Sequence, residues 1–204
     1  MDLSIEKEDG RRMSFALSGS SIGFANLLRR FAMNQVPTFA IDKVTFYENT
    51  SSMFDEYIGH RIGLVPLKWA PGFKADEEVV FSLEASGPAN VYSSHLQSSN
   101  DKVKVATEKI PLLKLLQDQN LRLEAKAIQG IGRKHAKWQA GLVSYEIADD
   151  KKFNFRVESY MQMNPRDMLS HAADLLDERC EGIESELADL RKASKEGKKK
   201  KKED

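Results

Sequence analysis

The 204 residues are 41% apolar and 30% charged, enough apolar material for one full domain or two small ones. The formal net charge is zero, but residues 191–204 hold eight Lys or Arg against three acids, so a tail of +5 follows a body of −5. A single cysteine, Cys180, excludes an intrachain disulfide, a Cys-ligated zinc site and an iron–sulfur cluster built from this chain alone. The four histidines have no metal-ligand spacing, no apolar run is long enough for a membrane span, and the charged start MDLSIEKEDGRR is unlike a signal peptide. A cytoplasmic, reducing setting is expected.

Leu3 and Ile5 alternate with polar residues, and Met13, Phe15 and Leu17 alternate again after Asp9-Gly10, which predicts a β-hairpin. A helix follows, capped by Ser20 or Ser21 and ended by Pro37. Phe24, Leu27, Leu28 and Phe31 form its main apolar face, and Ile22, Ala25, Ala32, Met33 and Val36 widen that face on both sides. So broad a face is read as covered on two sides, by the chain's own sheet and by something else.

Residues 39–47 read as a strand whose alternation slips at Asp42-Lys43, as at a bulge. Ser51 or Ser52 is expected to cap a short helix through Phe54, Tyr57, Ile58 and Arg61, with Gly63 as a left-handed stop and Leu64 to Leu67 as an edge strand. Strands are expected at 79–85, 91–96 and around Val103 and Val105. Pro111 is expected to open a short helix through Leu112, Leu113, Leu115 and Leu116, and residues 121–127 to form a half-buried strand. Residues 130–138 read as a loop, followed by strands at 142–147 and 153–160.

The last helix has three concordant start signals: Asn164 as cap, Pro165 at the first position and Asp167 in the first turn. Leu169, Ala173, Leu176, Cys180, Ile183, Leu187 and Leu190 then step by four and three, a seam of three heptads. About 26 helical residues would measure roughly 39 Å, longer than a domain of this size needs. Part of that seam should therefore meet a partner. The Lys-rich stretch 192–204 is expected to be a disordered tail.

No phosphate loop, nucleophile elbow or metal motif is present, and Asp55, Glu56, His60 and Arg61 lack a nearby nucleophile, so no catalytic, cofactor or metal residue is assigned. Arg61 is expected to pair with carboxylates and His60 to close its helix. The run Arg133-Lys134-His135-Ala136-Lys137-Trp138 supports two readings: a nucleic-acid contact with Trp138 stacking on a base, or an exposed protein-binding hot spot. The acidic body and the lack of a second aromatic platform favour the latter.

Three runs carry a family resemblance: Phe24 to Arg30 (FANLLRR), Ala40 to Val44 (AIDKV) and Asp55 to Leu67 (DEYIGHRIGLVPL). With His135 to Trp138 (HAKW), Phe155 to Ser159 (FRVES) and the Asn164-Pro165 helix, the chain resembles the α-like subunits of multisubunit RNA polymerases, most closely their archaeal form. The resemblance implies an α+β fold. A discontinuous dimerisation domain, residues 1–36 and 140–191, would consist of a sheet and two long helices, with a mainly-β domain inserted at 37–139.

It further implies a non-catalytic assembly platform of DNA-directed RNA polymerase. Phe24, Leu27, Leu28, Phe31, Leu169, Ala173, Leu176, Cys180, Ile183 and Leu187 would meet the smaller subunit L. Small subunits N and P would join that heterodimer, and the large catalytic subunits would dock near His60, Arg61, His135, Lys137 and Trp138. The iron–sulfur domain of some relatives is absent here, so no cofactor is expected. The alternative is a free-standing nucleic-acid-binding module that uses the basic tail and the Trp138 loop.

Overall fold

The structure is a computed structural model that describes residues 1–74 and 76–203, with side chains to residue 191. It is mixed α/β, mostly sheet, with three helices. The chain starts as the expected hairpin, β1 (Asp2–Asp9) on β2 (Arg12–Ser18), and enters α1 (Ile22–Asn34), where Ser21 Oγ accepts from Phe24 N–H at 3.2 Å. Strands β9 (Gly141–Asp149) and β10 (Lys152–Ser159) return to that hairpin and complete an antiparallel sheet in the order β1-β2-β10-β9.

One face of this sheet is apolar because β2 and β10 alternate. Phe15 and Phe155 stack across the pair with ring centroids 4.8 Å apart, and Tyr145 stands edge-on to Phe153. Helix α1 and the start of α3 (Pro165–Glu203) lie over that face. Ala25, Leu28 and Ala32 of α1 and Met168 and Ala172 of α3 are buried there, and the alanines let both helices sit close to the strands.

Between α1 and β9 the chain builds a second body of apolar packing. Strand β3 (Pro37–Asn49) pairs with β8 (Asn120–Ile131), which pairs with β4 (Val79–Ser86), and β6 (Gln97–Ser98) closes the order β3-β8-β4-β6. Strands β5 (Ala89–Tyr92) and β7 (Pro111–Leu115) form a separate two-stranded ribbon, and α2 (Asp55–Gly63) packs on β3. Buried side chains thus fall into two clusters. One draws on residues 13–36 and 140–172, the other on residues 39–127.

Several expectations are corrected. The Pro111 segment is strand, because Leu112, Leu113 and Leu115 are buried through pairing of β7 with β5, and that tertiary gain outweighs local helix preference. Gly63 ends α2 without a left-handed conformation, and the cap before α2 is Phe54, with no side-chain cap bond. Residues 64–67 form no strand and make only an isolated bridge from Leu67 to Val105, because Pro66 has no N–H to continue a ladder. The strand expected at 91–96 ends at Tyr92 and turns through a short 3-10 segment, Ser93–His95. The last helix runs to Glu203, well past residue 190. Lys, Ala and Glu favour helix, and no proline interrupts them after Pro165.

Candidate functional site: unpartnered helix faces and the Trp138 junction

Two surfaces hold the residues singled out from sequence. On α1, a single helix serves both a buried face and an open one. Ala25, Leu28 and Ala32 are buried, Phe24 and Phe31 are half-buried, and Leu27 and Ile22 are 42% and 55% exposed. Leu28, expected at an interface, belongs to the chain's own core. It lies one helical step of 100° from Leu27, which turns it onto the sheet.

Helix α3 divides in the same way, but along its length. Pro165, Met168 and Ala172 face the sheet, while Leu169 and Leu176 are half-buried at the margin. From Asp177 to Arg191 every side chain is exposed, including Cys180, Ile183 at 59% and Leu187 at 50%. The seam therefore continues beyond the domain with its apolar line bare. Arg166 holds the helix start to the sheet, donating to both carboxylate oxygens of Glu8, and this keeps the Glu8 carboxyl below the usual glutamate range.

The second surface is where the two clusters meet, and it overturns the reading of Trp138 as an exposed contact. The indole is 2% exposed, and its Nε1 donates to the Ile128 carbonyl at 3.1 Å. The Trp138 carbonyl accepts from Thr38 Oγ1 at 2.7 Å. Gly130 makes this possible, because a Cβ there would lie 2.5 Å from two ring carbons. Of the two glycines taken as loop signals, Gly130 marks a close approach of backbone to ring instead, with β8 running straight through it, whereas Gly132 stands in the turn that follows, close to the Met33 carbonyl.

Lys134 and Lys137 place their ammonium groups 5.0 and 4.3 Å from the indole centroid, and the His135 ring stands edge-on at 6.4 Å. Lys137 Nζ also bonds Asp42 Oδ1 at 2.8 Å and the Ile41 carbonyl at 3.1 Å. The expected bulge in β3, between Ile41 and Lys43, frees that carbonyl from the ladder. Lys137 is thus committed internally, and of His135, Lys137 and Trp138, the three expected to contact other subunits, His135 is the exposed one.

The Lys137 hydrogen bond, chiefly, holds the Asp42 carboxyl below the ordinary aspartate range. A carboxyl depressed on folding stabilises above its unfolded pKa, about 3.9, and that contribution is lost as pH falls through the folded value. Asp42→Asn is therefore expected to lower stability at pH 7 by about 1–2 kcal/mol and to flatten the acid limb of the stability profile. Urea midpoints at neutral pH and near pH 3 check both.

On α2, Ile58 and Ile62 are the buried pair, so His60 and Arg61 face outward. Arg61 donates to the Pro111 carbonyl at 2.5 Å, and among the described residues it makes no carboxylate pair, contrary to expectation. Phe54 and Tyr57, 71% and 65% exposed, line a shallow groove of about 420 Å³ with Ser52, Met53, His60 and Arg61. Sequence reading missed them as surface residues. The i, i+4 spacing of the two isoleucines was the available signal, because it leaves Tyr57 off the inward face. Among the described residues no group of three or more His, Cys, Asp or Glu is placed to hold a metal, and no helix is long and apolar enough to cross a membrane.

Comparison with known proteins agrees with this architecture. Residues 44–144 match the RNA polymerase Rpb3/RpoA insert domain. The DNA-directed RNA polymerase subunit Rpo3 of Methanocaldococcus jannaschii is 41% identical over 178 residues, 87% of this chain and 91% of that protein. Rpo3 of Pyrococcus horikoshii is 44% identical over 151 residues, 71% of this chain and 58% of its own length. Rpo3 of Halobacterium salinarum is 43% identical over 141 residues, 69% of this chain and 57% of its own. The chain thus spans nearly all of one relative and little more than half of the other two. It belongs to the archaeal Rpo3 family, the non-catalytic α-like subunits of DNA-directed RNA polymerase.

Proposed function

We propose that this chain is an assembly platform of its polymerase, pairing through α1 and α3 with the smaller α-like subunit L. The observation that carries this is the bare seam of α3. Ile183, Leu187 and Leu190 are at least half exposed, and Ile22 and Leu27 of α1 are open as well. Fully burying each such side chain is worth roughly 1.5–3 kcal/mol, so these five offer about 7–15 kcal/mol, on the scale of an association cost of about 4–15 kcal/mol, and the half-buried Phe24, Phe31, Leu169 and Leu176 add to it.

In this reading residues 1–36 and 140–191 form the dimerisation domain and residues 37–139 the inserted domain. Subunits N and P join the pair, and the large catalytic subunits dock on the insert around His60, Arg61 and His135 in the cytoplasm, with no cofactor held by this chain. The interface comprises Phe24, Leu27, Phe31, Leu169, Ala173, Leu176, Cys180, Ile183 and Leu187. A free nucleic-acid module is less well supported, since the buried Trp138 has no face to offer a base. The side chains of the Lys tail lie outside the described residues.

Light scattering of the chain alone and after co-expression with subunit L tests the proposal. A 1:1 complex replacing self-associated species is expected. A monomer that ignores subunit L overturns it.

A further inference from the structure

We infer that the trough between α2 and the β5–β7 ribbon seats an acidic segment of a large catalytic subunit, anchored by one aromatic or large aliphatic side chain. This deepens the docking around His60 and Arg61, and it rests on that reading for the source of the segment. The groove of Phe54 and Tyr57 does not stop at Arg61. A second hollow, of about 340 Å³, shares Met53 and Arg61 with it and continues over Tyr92, Pro111 and Lys114, with the buried Leu112 and Leu113 in its wall.

The surface is built in advance of any partner. Asn49 Nδ2 donates to the Met53 carbonyl at 2.9 Å and to Asp55 Oδ1 at 2.7 Å, while its Oδ1 accepts from Ser51 N–H at 3.0 Å. That network fixes the turn that displays Phe54, and a side chain held ready loses little freedom on binding. Phe54 also stands at the cap of α2 and gives it no side-chain hydrogen bond, where Ser, Thr, Asp or Asn would serve the helix better. An aromatic that does nothing for its own helix and lies open to solvent marks a binding surface.

Charge selects the occupant. At 100° per residue, Tyr57 and Arg61 lie within about 40° of each other on α2, and Asp55 and Glu56 are turned by about 100° or more from both. The two hollows together hold His60, Arg61 and Lys114 and no carboxylate, although residues 1–190 carry a net −5. Neither Arg61 nor Lys114 has a carboxylate partner among the described residues. Cations beside open aromatics suit a peptide that offers carboxylates next to an apolar side chain. A nucleic-acid strand fits less well, because the exposed Asp55 and Glu56 on the same helix oppose a continuous line of phosphates.

Fluorescence anisotropy of the full chain with a labelled short peptide, Asp and Glu around one Phe, tests the chemistry. Saturable binding is expected. Replacing the peptide's Phe with Gly, or Tyr57→Ala or Lys114→Glu in the chain, should each weaken it roughly tenfold, while Arg156→Glu on the first sheet leaves it unchanged. Tyr57 and Lys114 are exposed, so both variants should keep the urea midpoint of the parent. Absence of saturable binding overturns the inference, as does binding indifferent to both substitutions or tighter binding of a labelled oligouridylate.

Pull-down of the large catalytic subunits reads the docking separately. Their capture by the parent chain and displacement by excess acidic peptide are expected. Capture that the peptide leaves untouched overturns the trough as their seat, while the docking itself stands. Failure of the parent chain to capture them at all overturns the docking and with it the source of the segment, whatever the peptide does.

Discussion

Trp138→Ala is expected to lower the stability of the isolated chain by about 3–5 kcal/mol, a large part of the roughly 5–15 kcal/mol that a domain has in total. The indole is one of the largest fully buried side chains, and its removal leaves a cavity beside Gly130, an Ile128 carbonyl without its donor and two lysines without their ring. Gly130→Ala should be comparably damaging for the opposite reason, since its methyl group would overlap the ring. The two effects share one space. In the double variant Gly130→Ala adds little, so the cycle is strongly non-additive. Urea unfolding of the four proteins measures this, and a Trp138→Ala variant within about 0.5 kcal/mol of the parent would return the indole to the surface.

Leu27→Glu and Ile183→Glu should each abolish pairing with subunit L while leaving the isolated fold within about 0.5 kcal/mol of the parent. Both side chains are open to solvent in the single chain, so a carboxylate there costs the monomer little. In the complex that carboxylate is buried without a partner, at about 3–5 kcal/mol, which is a loss of affinity of at least about a hundredfold. Pull-down of each variant with subunit L, beside its urea midpoint, separates lost pairing from lost folding. Pairing retained by either variant would move the interface off that helix.

The elements read correctly from sequence are those in which local chemistry and tertiary need agree. The hairpin at Asp9-Gly10, the Ser21 cap, the slip at Asp42 and the Asn164-Pro165 start each have a local cause, and each stands where expected. Pro111 to Leu115 was illegible because its strand exists only by virtue of a partner some twenty residues earlier in the chain. Leu28 was misplaced because a helix with two apolar faces has no single stripe to mark the sheet side. The α3 seam stood out in its four-three spacing, but Trp138 did not. Its burial depends on a glycine in a neighbouring strand, and a glycine in sequence looks the same whether it bends a loop or makes room for a ring.

Strand β3 leaves the first cluster at Pro37 and β8 returns to it at Ile131, and those two residues lie side by side in the ladder. On the ribosome this sets an order of events. The hairpin of β1 and β2 emerges first, but its neighbour β10 is more than 130 residues behind it, so the apolar face of Phe15 and Leu17 has to wait uncovered. The segment from Pro37 to Ile131 has its pairing partners within itself and is free to fold while the rest is being made. Once it does, it closes the long loop between the two halves of the first sheet and brings the waiting hairpin next to the incoming β9 and β10. The middle of the chain thus acts as a splint for its ends, and slow translation after residue 131, before β9 and β10 are made, should favour the yield of folded protein more than slow translation elsewhere.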